Sequence, residues 1–168
     1  MYQSLPPGTL LSQGDIIDDC PVIAVDVSSS QAEEDAAFKK SRARVVVLTQ
    51  ACDLAQEKTT RCVVAPVHNA SVLVDQGDLK ASHVRDQIRR GLVFGWYFLP
   101  AAPTPIELPE SIVDLRDLHT VSRSLLGRLI INGKRVCRIE TPWREHLAQH
   151  FAVTYSRIAL PEPYETQP

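Results

Sequence analysis

The stretch that most restricts the fold is "RVVVLT", Arg44 to Thr49. Val45 to Leu48 are apolar without a break, so no periodicity separates a dry face from a wet one. A strand of this kind is buried on both faces and lies in the middle of a sheet, with further structure packed on each side. The run stops at Thr49-Gln50, and a thiol and a carboxylate follow at once, Cys52-Asp53. The same stretch therefore raises the question of whether that turn carries chemistry or packing.

Further strands are expected around it. "GDII" opens a first one, and Pro21 to Val27 gives a second. Cys62 to Val67 is a β-branched run stopped by Pro66 and the "HN" that follows. Leu92 to Leu99 is another, in which Gly95 points to a bulge or a close backbone approach. "SIVDLRDLHTV" alternates enough for a half-buried strand pair or one bent strand. In "LIINGKRVCRI", Asn132-Gly133 between apolar runs is the favoured two-residue turn of a β-hairpin.

Two main helices are expected. "DLKASHVRDQIRRG" has an Asp start, apolar residues at Ala81, Val84 and Ile88, and Gly91 as its stop. "TPWREHLAQHFAVTYSRIALP" has Thr141 as a cap and Pro142 in the first position. Trp143, Leu147, Phe151, Tyr155 and Ile158 recur on one face, and Pro161 ends the element. The polar patch "SSSQAEEDAAFKK", Ser28 to Lys40, reads as an exposed loop or a short surface helix. With no βαβ rhythm, these elements give an α+β fold: a strongly bent antiparallel or mixed sheet, or a small β-barrel, with two main helices, the second C-terminal. Residues 1–160 form a single globular domain and 161–168 a flexible C-terminal tail.

Eighteen basic residues against twenty acidic ones leave a net charge of -2. That balance argues against a nucleic-acid binder driven by electrostatics, whose affinity rests on clustered Lys and Arg. The nearest basic cluster, Arg85, Arg89 and Arg90, has Asp86 inside it and reads as a solvated helix face. The longest apolar run, Leu92 to Ala102, is too short to cross a bilayer and is broken by Gly95 and Pro100. The opening "MYQSLPPGTLL" lacks a basic segment followed by an apolar one, so a soluble cytoplasmic chain with no membrane association is expected. Cys20, Cys52, Cys62 and Cys137 lie far apart with no C-x-x-C pair, which suggests free thiols. No Gly-rich phosphate loop is present, and no cofactor is expected.

Three segments together, "GDIIDDCPV", "VVVLTQACDLAQEK" and "TPWREHLAQHFAVTYSRIALP", resemble a set of uncharacterised bacterial proteins. In that set a "CDL" or "CDI" turn follows a hydrophobic strand, and a helix opens with a Pro-aromatic-Arg-Glu-His pattern. The resemblance implies a shared fold and a bacterial origin, and assigns no activity. "GDI" and "VVVLT" are also similar to segments of PemK/MazF-type toxins, which are small barrels that cleave RNA. Of the Arg and Thr or Ser pattern those nucleases use, only Thr49 has a counterpart here.

The candidate chemistry centres on Cys52. A residue at the end of a buried strand is rigidly presented, and a short helix starting at "CDLAQE" would lower the thiol pKa with its unpaired amides. The plainer alternative is a cysteine acting as a small apolar filler, with Asp53 as a helix N-cap. A nucleophile needs a base, and among His68, His83, His119, His146 and His150 the choice falls on His146, next to Arg144 and Glu145 in "WREH". A Cys52–His146 dyad oriented by Glu145 or Asp53 would suit nucleophilic catalysis. Alternatively Asp53, Arg144, Glu145 and His146 close a buried ion-pair network between strand end and final helix. His146 and His150 are spaced to share a metal, with Cys52, Asp53 or His119 as a third ligand, yet nothing in the spacing selects one and no metal is expected. Gln50, Thr49 and Arg144 are the candidate binding residues. Trp96, Tyr97 and Phe98 could form an aromatic docking patch, although an apolar strand of that length is expected to be core. Three functions follow: a module binding a partner protein within a bacterial multi-gene defence or mobile-element system; a cysteine-dependent hydrolase or transferase; and a toxin-like endoribonuclease using Thr49, Arg144 and His146. The oligomeric state stays open.

Overall fold

The structure, a computed structural model, describes residues 1–26 and 37–156. In chain order the strands are β1 (Tyr2–Gln3), β2 (Asp15–Asp26), β3 (Ala37–Val47), β4 (Arg61–Asn69), β5 (Trp96–Leu99), β6 (Ser111–Asp114), β7 (His119–Ser122) and β8 (Arg135–Ile139). The helices are α1 (Ala51–Ala55), α2 (Ala70–Asp75), α3 (Ala81–His83, continued by a π-turn over Val84–Ile88), α4 (Arg123–Ile131) and α5 (Trp143–Tyr155). The strands form one antiparallel sheet in the order β1-β8-β2-β3-β4-β6-β5, with β7 also paired to β4. The chain is thus an α+β protein built on an antiparallel sheet.

β3 sits centrally, as its unbroken apolar run requires. Val45 and Val47 enter a core with Ile17, Cys62, Val64 and Leu126, beneath α1 and α4. Val46 enters the opposite one with Ile16, Ala65, Leu99, Ile139 and Leu147, beneath α5. Burying each such side chain stabilises the fold by about 1.5–3 kcal/mol. The second core takes residues from near both ends of the strand order, Tyr2 of β1 and Ile139 of β8 on one side and Leu99 of β5 on the other, so the sheet is strongly bent around Leu147. The Tyr2 hydroxyl donates to the Pro100 carbonyl at 2.7 Å, linking the two outer edges. Among the described residues no ladder joins those edges, and the sheet is open rather than a closed barrel.

Several local expectations need correction. "GDII" and Pro21 to Val27 belong to one strand, β2; Val27 lies outside the described residues. Its partners run Ile17↔Val45 and then Cys20↔Ala43, so a bulge at Asp18-Asp19 replaces the expected break. Asp19 adopts φ 58°, a conformation its short polar side chain tolerates. Pro66 does not stop β4: it lies opposite Val45 where β3 pairing ends, and β4 continues to Asn69 against β6. "SIVDLRDLHTV" becomes β6 and β7, both laid along β4 with extra residues bulging between them. Of the patch Ser28 to Lys40, residues 28–36 lie outside the described part and Ala37 to Lys40 belong to β3.

The expected hairpin at Asn132-Gly133 is the C-terminus of α4. Ser122 caps that helix by accepting from Leu125 N–H at 3.2 Å, and Leu126, Leu129 and Ile130 supply its buried stripe. Gly133 at φ 74° donates to Ile130 C=O at 3.0 Å while Lys134 donates to Leu129 C=O at 2.9 Å, which is the Schellman ending. Asn-Gly supplies the left-handed backbone that either a hairpin or a helix stop demands, so the dipeptide alone could not separate them. α5 opens differently from expectation too. Pro142 stands at the N-cap with no side-chain cap, and the Thr141 hydroxyl donates to Glu145 Oε1 at 2.9 Å. Of the expected stripe only Leu147 is fully buried; Trp143 and Tyr155 are exposed, and Ile158 lies outside the described residues.

Candidate functional site

Thr49, Gln50, Cys52 and Asp53 form the turn leaving β3. The Thr49 hydroxyl accepts from Val63 N–H at 2.7 Å, extending the β3–β4 ladder beyond the last paired residue. Gln50, not Asp53, is the N-cap of α1, a helix of five residues anchored by buried Leu54. Cys52 is exposed, and its thiol lies 3.5 Å from Gln50 Oε1 and 3.8 Å from Asp53 Oδ1. Cys20, Cys62 and Cys137 are buried, and that burial pushes the Cys20 thiol to about 11, the Cys137 thiol to about 12 and the Cys62 thiol upward.

His146 does not meet Cys52. α1 packs through Leu54 into the core shared with α4, whereas α5 packs through Leu147 into the opposite core. The His146 ring is engaged by Tyr97, whose hydroxyl lies 3.0 Å from Nδ1, and the two rings are tilted with centroids 5.5 Å apart. Burial raises the Tyr97 phenol to about 12, so this hydroxyl stays neutral and can donate to Nδ1. Nor do Asp53, Arg144, Glu145 and His146 form a buried network. Arg144 donates to Glu145 Oε1 at 2.7 Å and to the Thr141 hydroxyl at 3.2 Å, a local cluster at the solvent-facing start of α5. The Arg144 guanidinium holds the Glu145 carboxyl below its usual range.

The buried charge lies elsewhere, at Asp15 in the "GDII" opening of β2. Asp15 has no exposed surface. It accepts two bonds from Arg138, at 2.7 and 3.0 Å, and one from Ser12 N–H at 2.9 Å, and Arg135 Nη2 lies 3.4 Å away. Two guanidinium groups thus share one carboxylate. Arg135 spends Nη2 mostly on Thr9 C=O, at 2.6 Å, while its Nε and Nη1 have no partner.

His150, the other half of the suggested metal pair, also faces Tyr97, edge to face at 5.6 Å, and stacks with Phe94 at 6.4 Å. Burial is the main cause of its pKa falling below the ordinary 6.5, with His146 acting in the same direction. Among the described residues no group of three or more His, Cys, Asp or Glu is arranged to hold a metal ion.

The concave feature in this region is a cavity of about 410 Å³ between β5, the end of α3 and the first turn of α5. Trp96, Tyr97, Phe98, Trp143, His146 and Arg89 are among its walls. β5 alternates as a half-buried strand: Tyr97 and Leu99 enter the core, while Trp96 and Phe98 are only partly covered. The expectation that "WYFL" is core therefore holds for alternate residues. Arg116 lies over the Trp96 ring at 3.9 Å and Arg89 over Phe98 at 5.4 Å. Gly95, at φ 85°, makes room for this arrangement, because a Cβ there would stand 2.6 Å from Arg116 Cγ. Trp143 is 46% exposed, and nearby in sequence to β5 Leu92 and Phe94 are also exposed. What the sequence could not reveal is that the aromatic run and the "PWREH" helix start, far apart in the chain, wall one cavity.

No protein-family model matches the chain, and no curated protein matches it. No helix among the described residues is long and apolar enough to cross a membrane.

Proposed function

We propose that the chain is a small bacterial cytoplasmic module that binds a partner protein, within a multi-gene defence or mobile-element system. The docking point is the cavity walled by Trp96, Trp143 and Arg89. The observation that carries this reading is the composition of that cavity: Trp, Tyr and Arg are the residues that most often dominate protein–protein binding energy, and here they converge on one concavity with exposed Trp143 at its mouth. The cysteine-enzyme reading lacks such support, since His146 is bonded to Tyr97 and Cys52 to its own turn. The ribonuclease reading has Thr49 occupied by Val63 N–H and Arg144 by Glu145. Kinship with PemK/MazF-type barrels draws support only from the Tyr2–Pro100 link across the open edges.

The test is co-purification with the products of adjacent genes, followed by reconstitution from pure components. Trp143→Ala is expected to weaken the reconstituted complex by about tenfold or more, as loss of a central aromatic anchor does. Cys52→Ser is expected to leave it unchanged. Undiminished binding by Trp143→Ala would remove the cavity from consideration, and a turnover lost specifically in Cys52→Ser would restore the enzyme reading.

A further inference from the structure

The two outer strands of the bent sheet carry backbone hydrogen-bonding groups that point away from their own ladders. On β5, Leu115 N–H donates to Gly95 C=O at 2.8 Å, and the register continues Trp96↔Asp114, Tyr97↔Val113, Phe98↔Ile112. Alternate residues of an antiparallel strand turn their N–H and C=O to opposite sides, so Gly95, Tyr97 and Leu99 face β6 while Trp96 and Phe98 face away from it. β6 agrees: Ala70 N–H donates to Glu110 C=O at 2.9 Å, which in the β4–β6 register turns Ile112 toward β4. On β1, Glu140 N–H donates to Met1 C=O at 2.8 Å and Tyr2 lies opposite Ile139, so the Tyr2 backbone faces away from β8. The Tyr2–Pro100 bond places these two edges across from each other. His150 engages the Trp96 backbone, so the open stretch of this edge begins at Phe98. Among the described residues, no hydrogen bond uses the outward N–H or C=O of Phe98 or Tyr2.

We infer that this seam takes an extended segment of the partner protein as an added strand along β5, with one apolar side chain of the segment seated in the aromatic cavity. The inference rests on the docking reading above and specifies how the partner is held. Strand edges in soluble proteins are commonly blunted by lysines, bulges or inward charges. β5 reads Trp-Tyr-Phe-Leu and carries none of these within its length. Phe98 contributes both the outward amide and part of the cavity wall, so main-chain pairing would supply affinity and the cavity would select the side chain. Arg89 is the charged side chain among the cavity walls with no carboxylate lining the cavity beside it, the Met1 ammonium on the wall being paired with Glu140, so the segment should carry an acidic residue next to its apolar anchor. That charge also favours a different protein over a second copy of this chain. Edge-to-edge pairing of two β5 strands is two-fold symmetric and would bring one Arg89 toward the other.

The probe is a random-peptide phage library selected on the intact chain, with the selected peptides then synthesised. Their affinities are measured by fluorescence polarisation, and backbone amide exchange by NMR. Selected peptides are expected to pair an apolar anchor with an acidic neighbour and to lose about tenfold or more in affinity for Trp143→Ala. The Phe98 amide is expected to exchange at least about tenfold more slowly when the peptide is bound, because a paired amide exchanges only on opening. Phe98→Pro removes the outward N–H without touching the β6 ladder, whereas Phe98→Ala removes only the ring. The Pro variant should therefore bind more weakly than the Ala variant, and N-methylation of alternate peptide residues should abolish binding. Should Phe98→Pro fail to fold, the exchange and N-methylation results on the wild-type chain decide. Peptides that need Trp143 but leave Phe98 exchange unchanged and tolerate N-methylation would overturn the strand and keep the docking cavity. Peptides that ignore Trp143, or no peptides at all, would overturn both. A dimer of this chain that protects the Phe98 amide without peptide would assign the seam to self-association instead.

Discussion

Asp15→Asn should be the costliest single-atom change in the fold. The side chain keeps its size, but a buried unit charge disappears from between two guanidinium groups and an amide nitrogen is turned toward one of them. A pair of unit charges about 3 Å apart interacts by roughly 5 kcal/mol at an effective dielectric of 20. The Arg138 contacts at 2.7 and 3.0 Å put Asp15 in that range, with Arg135 adding at 3.4 Å. Part of that attraction offsets the cost of burying the ions and is no net gain; removing one partner, however, leaves the other side's desolvation uncompensated, and such losses run to about 3–5 kcal/mol. The expected loss is therefore about 3–5 kcal/mol, out of a total stability of roughly 5–15 kcal/mol for a domain of this kind. Urea unfolding followed by circular dichroism measures it, and thermal melting should show a midpoint lower by about 10 °C. A second variant separates charge from packing. In the Asp15→Asn background, Arg135→Met deletes one of the two stranded cations, the one whose Nε and Nη1 have no partner, so the double variant should be no less stable than Asp15→Asn alone. A loss under about 1 kcal/mol for Asp15→Asn, or strictly additive losses in the double variant, would refute the idea that this carboxylate holds the cluster together.

The remaining expectations concern thiols, pH and backbone. With iodoacetamide at pH 8, Cys52 alone should be modified in the folded protein, and Cys20, Cys62 and Cys137 only after unfolding; mass spectrometry showing a buried cysteine labelled as fast as Cys52 would contradict the packing. His150 titrates lower in the folded chain than in the unfolded one, so the unfolded chain takes up its proton first as pH falls. Its contribution to stability is complete above the ordinary value of 6.5 and is lost as pH drops from there toward the folded value. His150→Gln should therefore flatten the fall of the urea midpoint between about pH 7.5 and 5.5, and an unchanged slope would exclude His150 as its source. Gly14→Ala forces a Cβ into φ 81°, 3.1 Å from Ile139 O and 3.2 Å from Arg144 Cγ, whereas Gly77→Ala at the same φ meets nothing within 4 Å. Gly77→Ala should cost about 1 kcal/mol and Gly14→Ala clearly more, the difference being the crowding; equal unfolding midpoints would show that the Gly14 junction yields without cost.

What the sequence disclosed follows the range of the interactions involved. The unbroken Val45-Val46-Val47-Leu48 run identifies a central strand because burial on both faces leaves no other pattern. Gly91 marks a helix stop because a left-handed residue is a local demand. The hairpin misreading at Asn132-Gly133 shows the limit of a local signal: the choice between hairpin and helix was made by Leu126, Leu129 and Ile130 fitting the face beneath α4, a tertiary matter. The bulge at Asp19 was hidden for the same reason, since it exists only relative to the register of β3. Cys52 and His146 each drew attention through their neighbours in the chain, yet a dyad depends on which face of the sheet each helix covers. Tyr97, the true partner of His146, sat inside a run that reads as ordinary core.

The segments "GDIIDDCPV", "VVVLTQACDLAQEK" and "TPWREHLAQHFAVTYSRIALP" meet at one point in space. Gly14 N–H donates to Val47 C=O and Gly14 C=O accepts from Ile139 N–H, both at 2.9 Å, while the Gln13 side-chain amide reaches Leu48 C=O at 3.1 Å. The stem of Arg144 then closes over Gly14, where an added Cβ would stand 3.2 Å from Arg144 Cγ and be crowded. The "GD" opening, the end of the "VVVLT" strand and the "PWREH" helix start are thus parts of one junction, with Asp15 anchoring β2 to β8 beside it. Such a junction constrains backbone geometry tightly and fastens the sheet to its last helix. The cavity and the open β5 edge draw on other residues, Trp96, Phe98 and Arg89, with Trp143 and His146 as the walls contributed from the "PWREH" helix start. Under the proposed docking reading, substitutions in β5 and the end of α3 should alter partner binding while leaving this junction intact, and substitutions in the "CDL" turn should not alter binding.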